Sequence, residues 1–342
     1  MSGGVRGPDA AAGGPRGGGD PLPRIGVQVW GQYATWSELM SAGRAVEAAG
    51  LHSLWSNDHF LPLVAGPDGP RAAPPGPIVE GWSLLAGWAG VTSRVRLGCL
   101  VSGAGYRNPA LLVKEATAFD HLSGGRMTLG LGAGWFEAEH LAFGFAFPPV
   151  RERLDRLEEA ATICRGLLDG DAVTFEGRWY SAVAAVNDPK PLQPRLSLLI
   201  GGSGERRTLP IVARFADAWS ADGGDPATIA RKQSILDEAC EAIGRDPQAV
   251  RRTAGLPPPL VRDDEAEARG ALAAILMRHG LTRSEAGAVA GDDPFVGPID
   301  ALRRRLEAYR SVGVEEVMFD WPAPFDPATL EALGRLAGEA GA

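Results

Sequence analysis

The sequence predicts an α/β fold of the (β/α)8 TIM-barrel type with insertion segments. Three observations predict it. From Arg24 onward, short apolar runs alternate with longer segments of helical period, the signature of βα units around a parallel sheet. Eight such runs can be counted along the chain. No shift in composition divides the 342 residues, and a barrel of ~250 residues or more with additions forms one domain. The expected division is therefore a tail over residues 1–23 and one barrel domain over 24–342. An open doubly wound sheet shares this alternation, because periodicity does not report closure.

The tail is rich in Gly, Pro and Ala and has no apolar core like that of a secretory signal. It lacks the apolar surface that would offset its ordering entropy, so it is expected to be disordered. The first strand is Ile25–Val29, and the helix after it places Trp36, Leu39, Met40, Gly43 and Val46 on one face. The second strand is Ser53–Ser56. The third, Val95–Val101, is almost wholly apolar, as a strand covered on both faces must be. Leu112, Ala116 and Phe119 then mark the inner face of a helix, and Met127–Leu131 is the fourth strand.

A long helix is expected over Pro149–Leu168, where Leu154, Leu157, Ala161, Cys164 and Leu168 recur at helical spacing. Val173–Tyr180 alternates around a Glu-Gly turn and reads as a hairpin outside the barrel. The remaining strands are Leu196–Ile200, Ala218–Ser220, a run near Arg252–Leu256, and Glu316–Asp320. Leu281–Pro298 reads as an insertion loop.

Composition narrows the function. A net charge of −8 argues against nucleic-acid or anionic-membrane partners, which call for a basic surface. No apolar stretch reaches the ~18 residues of a membrane span. Cys99, Cys164 and Cys240 are far apart, without metal-ligand or disulfide spacing, which fits small core residues in a reducing cytosol. Glu137 and His140 could share a helix face, but two ligands fall short of a zinc site. No metal is expected, and that face is expected to be solvated.

Barrel enzymes act at the C-terminal ends of their strands. The fifth strand there runs into Gly201-Gly202-Ser203-Gly204 and then a helix. Small residues let a phosphate approach the backbone, and the helix start offers N–H groups and a favourable dipole. A tight turn without a ligand has the same sequence. Gly130-Leu131-Gly132-Ala133-Gly134-Trp135 matches the dinucleotide fingerprint only loosely. It fits either a strand end kept bare for a flat ring or close packing of backbone. Asn57-Asp58-His59-Phe60 places hydrogen-bonding groups and a proton relay at the second strand end. After the third, Tyr106 and Arg107 could grip a polar ligand, and Asn108-Pro109 starts a helix.

These segments occur in a distinctive order. Asn57–Phe60, Tyr106–Leu112, Asp120–Arg126, Gly130–Trp135 and Gly201–Gly204 together resemble the luciferase-like monooxygenase superfamily, closest to its deazaflavin (coenzyme F420)-dependent oxidoreductase branch. The resemblance is good over about Arg24–Asp225 and weak over the last hundred or so residues. It implies a barrel binding coenzyme F420 or, alternatively, FMN. The ring would lie over the strand ends and the phosphate at Gly201, Gly202, Ser203 and Gly204. It further implies a non-prolyl cis peptide between Leu100 and Val101 behind the ring, a ring-facing His59, a cofactor contact at Asp58, and cofactor contacts at Gly132 and Ala133. Homodimers are usual in the family.

The sugar-phosphate-oxidising branch carries a catalytic Glu where this chain has Trp135, and a Trp where it has Leu63. That departure points to an apolar or aromatic small-molecule substrate, with Trp30, Tyr106, Trp135 and Trp219 as candidate contacts and Trp321 nearby. F420 would support hydride transfer to or from its C5 position, with His59 moving the accompanying proton. FMN would support an oxygen-using monooxygenase. Two other readings are a non-redox phosphate-binding isomerase or lyase, which needs a lysine or a carboxylate pair above the barrel, and a non-catalytic flavin carrier.

Overall fold

The computed structural model describes residues 22–340. Most of the expected tail lies outside the described residues, but Leu22 and Pro23 are buried, so ordered packing begins two residues before Arg24.

Eight parallel strands close into a barrel. They are β1 (Arg24–Val29), β2 (Ser53–Ser56), β3 (Arg96–Cys99), β4 (Met127–Gly132), β5 (Ser197–Gly201), β6 (Ala218–Asp222), β7 (Arg251–Leu256) and β8 (Glu316–Trp321). Each pairs with the next in parallel, and β8 pairs with β1, so no edge remains in the ring. Closure excludes the open sheet.

The helices are α1 (Trp36–Ala48), α2 (Gly81–Val91), α3 (Pro109–Ser123), α4 (Glu137–Ala142), α5 (Val150–Asp169), α6 (Thr208–Phe215), α7 (Pro226–Glu241), α8 (Glu265–Arg278), α9 (Arg283–Asp292), α10 (Ile299–Ser311) and α11 (Pro327–Ala340). Local chemistry sets their ends. A capping box between Thr35 and Glu38 opens α1, and the Asn108 side chain accepts two N–H groups at the start of α3. Gly124, in the left-handed region, closes α3. Asp120 and Arg126, in a segment shared with the superfamily, bind this turn to its surroundings. Asp120 accepts from Leu192 and Gln193, and the buried Arg126 guanidinium donates to the Val95 and Thr92 carbonyls.

Side chains alternate along every strand. The outer set (Val27, Leu54, Leu97, Leu129, Ile200, Trp219, Phe319) packs beneath the helices in the main core. Trp55, Leu199, Ala218 and Met318 fill the barrel with Leu100 and Val101 above them. All three cysteines are buried, and burial pushes the Cys99 and Cys164 thiols up.

Four expectations need correction. Trp36 is 47 % exposed, because it sits at the first turn of α1 rather than over the barrel. β3 ends at Cys99, where the chain bends. The hairpin's second strand is Ser181–Ala185, beyond Tyr180, since residues 177–180 make the connection. Finally, Leu281–Pro298 is not a loop. It holds α9 and the strand Val296–Gly297, which pairs with Leu260–Val261. Its alanines (Ala286, Ala290) bury against Leu272 and Leu276 of α8 and Val64. Small residues gave too faint a helical stripe to read. Arg71 bonds Glu285 at 2.8 Å, tying the antiparallel pair Leu63–Gly66 and Gly69–Ala72 to α9 beside the barrel mouth.

Candidate active site

Beyond Cys99 the chain bends through Leu100 and Val101, joined by a cis peptide bond. Gln28, pointing inward from β1, donates its side-chain amide to the Leu100 carbonyl. The neighbouring strand ends are bare where Val101 sits. A Cβ on Gly132 would lie 2.5 Å from a Val101 methyl, and one on Gly201 would lie 3.1 Å from the other. One on Gly130 would strike the Cys99 carbonyl at 2.0 Å. Of the two readings of the β4 glycines, close packing thus accounts for Gly130 and Gly132. Ala133, the next residue, is half-buried.

The turn Gly201–Gly204 lies on the same side of the mouth. Gly202 has φ +119°, a conformation that disfavours any side chain. Its N–H donates to the Ser220 carbonyl at 3.1 Å, and its own carbonyl accepts from Trp219 at 2.8 Å. The Ser203 hydroxyl accepts the Asp222 N–H. α6 begins at Thr208 with no side-chain cap, which leaves its first N–H groups without a side-chain acceptor. Lys232, on α7, donates to the Ser203 carbonyl at 2.8 Å and approaches Glu205 at 3.5 Å. A bare backbone turn, an uncapped helix start and an adjacent ammonium fit a phosphate. Lys232 lies on a helix and ends no strand, and helix period does not say which turn a residue overhangs.

Across the mouth, His59 follows β2. Its Nδ1 lies 2.9 Å from Oε1 of Glu139, on α4. The same carboxylate accepts the Tyr106 hydroxyl at 2.5 Å and the Phe60 N–H at 2.9 Å. Burial works against the Glu139 charge, but these donors outweigh it and hold the carboxyl below its usual range. Burial, and then Glu139 as acceptor, push the Tyr106 phenol well up, so it stays a donor. His140 is buried too, 3.1 Å from the Tyr106 hydroxyl. The face expected to be solvated therefore turns inward through Glu139 and His140, while Glu137 is exposed. Helix α4 is too short for its period to reveal this.

Two candidates are committed elsewhere. Asp58 is buried; its carboxylate accepts from Arg107 at 2.6 and 2.9 Å and from the Gly103 N–H. Arg107 also bonds Glu80 at 2.7 Å. Burial opposes the Arg107 charge, but Asp58 and Glu80 keep its proton affinity above the usual value. Arg107 thus holds protein carboxylates rather than a ligand, and the Asp58 side chain braces the loop carrying His59.

The aromatic candidates divide. Trp135 is 46 % exposed and meets His59 edge-on, with ring centroids 5.5 Å apart. Trp30 is buried beside Phe136, and its indole N–H reaches Asp320 at 3.2 Å. Tyr106 is held by Glu139. Trp219 does not fit a substrate contact: it points outward from β6 beneath the helices and is fully buried. Trp321 likewise lies in the outer core. Beside His59 a cleft of about 370 Å³ is lined by Phe60, Ile78, Glu80, Phe143 and Phe145.

A pair of carboxyl side chains also stands at the mouth. Asp222 ends β6, and Asp320 lies in register with Gln28. Burial, with the Asp222 charge adding to it, pushes Asp320 up to about 7. Asp320 ends the strand expected over Glu316–Asp320, but a strand end in sequence does not show which carboxyl turns into the mouth. Among the described residues, no group of three or more His, Cys, Asp or Glu side chains could hold a metal ion, and no helix is long and apolar enough to cross a membrane.

The family model for the luciferase-like monooxygenase domain matches residues 21–322, so the likeness runs well past Asp225. An F420-dependent hydroxymycolic acid dehydrogenase of Mycobacterium tuberculosis is 29 % identical over 100 % of this chain and 87 % of its own. An F420-dependent glucose-6-phosphate dehydrogenase of Kineococcus radiotolerans is 32 % identical over 69 % of this chain and 67 % of its own. Among solved structures, an F420-dependent secondary alcohol dehydrogenase holding an F420-acetone adduct superposes with a TM-score of 0.75 at 17 % identity, over 93 % of this chain and 99 % of that one. A long-chain alkane monooxygenase superposes with a TM-score of 0.74 at 14 % identity, over 93 % and 91 %.

Proposed function

The chain belongs to the luciferase-like monooxygenase family, and from that premise we propose that it is a coenzyme F420-dependent oxidoreductase acting on a small apolar or aromatic alcohol or carbonyl compound. The observation that carries this reading is the pairing, across one barrel mouth, of a phosphate-fitted turn at Gly201–Gly204 with the His59–Glu139 couple. The family relatives named for F420 supply the cofactor.

When bound, the deazaflavin accepts or donates a hydride. The protein's own share begins with Gly201–Gly204, the α6 start and Lys232, which would hold the phosphate. Val101 and the β4 strand end would back the ring. Glu139 accepts the Nδ1 proton of His59, which leaves Nε2 free to take a proton from a substrate hydroxyl, or to return one to a carbonyl oxygen. Phe60, Ile78, Phe143 and Phe145 give the substrate an apolar berth and exclude water. Trp135 covers the imidazole in place of the carboxylate found in the sugar-phosphate branch, so a sugar phosphate is not the expected substrate.

The enzyme is expected to work as a cytosolic homodimer on a free small molecule. The decisive test is titration of the purified protein with F420 and with FMN, followed by fluorescence. Tight binding of F420 supports the reading; tight binding of FMN alone overturns it in favour of a reduced-flavin monooxygenase. That second reading is favoured by the shared fold of the alkane monooxygenase.

A further inference from the structure

Asp320 stands apart from the ion pairs that occupy Asp58, Glu80 and Glu139. Its strand partner Gln28 turns inward to the Leu100 carbonyl, and parallel register turns Asp320 the same way. Among the described residues only Oδ1 has a hydrogen-bond donor, the Trp30 indole at 3.2 Å. Among the described residues no Lys, Arg or His forms an ion pair with it; the charge that acts on it most is the carboxylate of Asp222, also at a strand end. The residue is half-buried, so it is neither sealed in the core nor surrounded by water.

Its neighbours complete the setting. Trp30 packs with Leu63 and Phe136, and Phe136 meets the His59 ring at 5.9 Å. An arc of Asp320, Trp30, Phe136 and His59 therefore spans the mouth from β8 to β2. His279, behind Trp30 at 6.3 Å, is engaged with Gln32 and the Ala323 carbonyl, and burial lowers its proton affinity. β7 presents Gly255 and Leu256 at its end and adds no charge.

A carboxyl group so placed has two states with opposite properties. Protonated, it donates a hydrogen bond. Ionised, it is a half-buried anion that feels the charge of another carboxylate, with no ion-pair partner among the described residues. Burial and the Asp222 charge push the group up to about 7, so both states are populated near neutral pH. We propose that Asp320 is a specificity-determining group of this site, donating a hydrogen bond from Oδ2 to a neutral carbonyl or hydroxyl oxygen of the bound ligand and rejecting anionic groups at that end of the mouth. The assignment rests on the F420 reading. The acceptor oxygen belongs either to the deazaflavin ring or to the substrate.

The test is a set of binding titrations between pH 5.5 and 8.5 on the wild type and on Asp320→Asn, which keeps an acceptor for Trp30 but cannot ionise. One arm titrates F420 into the free protein; the other titrates cyclohexanol into the F420-loaded protein. In the wild type, one arm should weaken progressively above pH 7, toward about tenfold per unit if only the protonated form binds. Asp320→Asn should remove that dependence. Loss of the dependence in the first arm identifies a ring oxygen; loss in the second alone identifies a substrate oxygen. Superimposable pH profiles for wild type and variant in both arms overturn the inference while leaving the F420 reading intact. Failure of F420 to bind the wild type at any pH overturns both.

Discussion

Nδ1 of His59 lies 2.9 Å from Oε1 of Glu139, across 80 positions of sequence. The couple fixes which imidazole nitrogen is left for chemistry. His59→Ala should lower turnover by about 10²-fold or more, in the range of general acid–base catalysis. F420 affinity should change less than threefold, because the phosphate turn lies elsewhere on the mouth. Steady-state rates and a fluorescence titration separate the two; unchanged turnover would remove His59 from the mechanism.

Glu139→Gln tests the other half of the couple. The Glu139 carboxyl is held below its usual range in the folded protein. It therefore contributes stability above the unfolded-state value, and that contribution is lost as pH falls through the folded one. Urea unfolding should show the variant destabilised by ~1–3 kcal/mol at pH 7, with a smaller gap at pH 4. An equal gap at both values would mean that the charge is not what matters.

Lys232→Met should weaken F420 about tenfold or more. It should leave the phosphate-free deazaflavin core bound as in the wild type, since the ammonium reaches only the Ser203 carbonyl and Glu205 beside the turn. Equal losses for both compounds, measured by parallel titrations, would place the phosphate elsewhere.

Asp320 has the opposite sign to Glu139. Its folded value, about 7, lies above that of an unfolded aspartate. Folding then holds a proton that the unfolded chain releases, so this residue makes stability fall as pH rises from about 4 to about 7. Asp320→Asn should raise Tm more at pH 8 than at pH 5. Thermal unfolding at the two values checks it, and equal shifts would count against a buried, protonated acid.

The barrel was legible because parallel strands covered on both faces leave mostly apolar runs, as Val95–Cys99 and Leu196–Ile200 do. The Gly201–Gly204 turn and the Asn57–Phe60 segment could be picked out as candidates for a related reason: each follows directly on a strand. Glu139 and His140 were not. They lie on the six-residue helix α4, too short for a face to be read. Arg107 and Asp58 looked like ligand groups because a sequence shows charge without showing its partner. Trp219 was misjudged by one residue of alternation, since Ala218 and Ser220 face the barrel interior and Trp219 does not.

Val101 and the glycines at 132 and 201 form a single steric unit, built from the bend after β3 and the ends of β4 and β5. Neither glycine can grow without Val101 answering: an added methyl at Gly132 takes space that a Val101 methyl already fills, and one at Gly201 forces that side chain to give by a few tenths of an ångström. Change at these positions must therefore be concerted, with bulk gained on one strand matched by bulk surrendered on another. Among diverging copies of this gene, the three sites should drift as a correlated set of volumes, and the floor of the mouth should keep its depth while its composition changes.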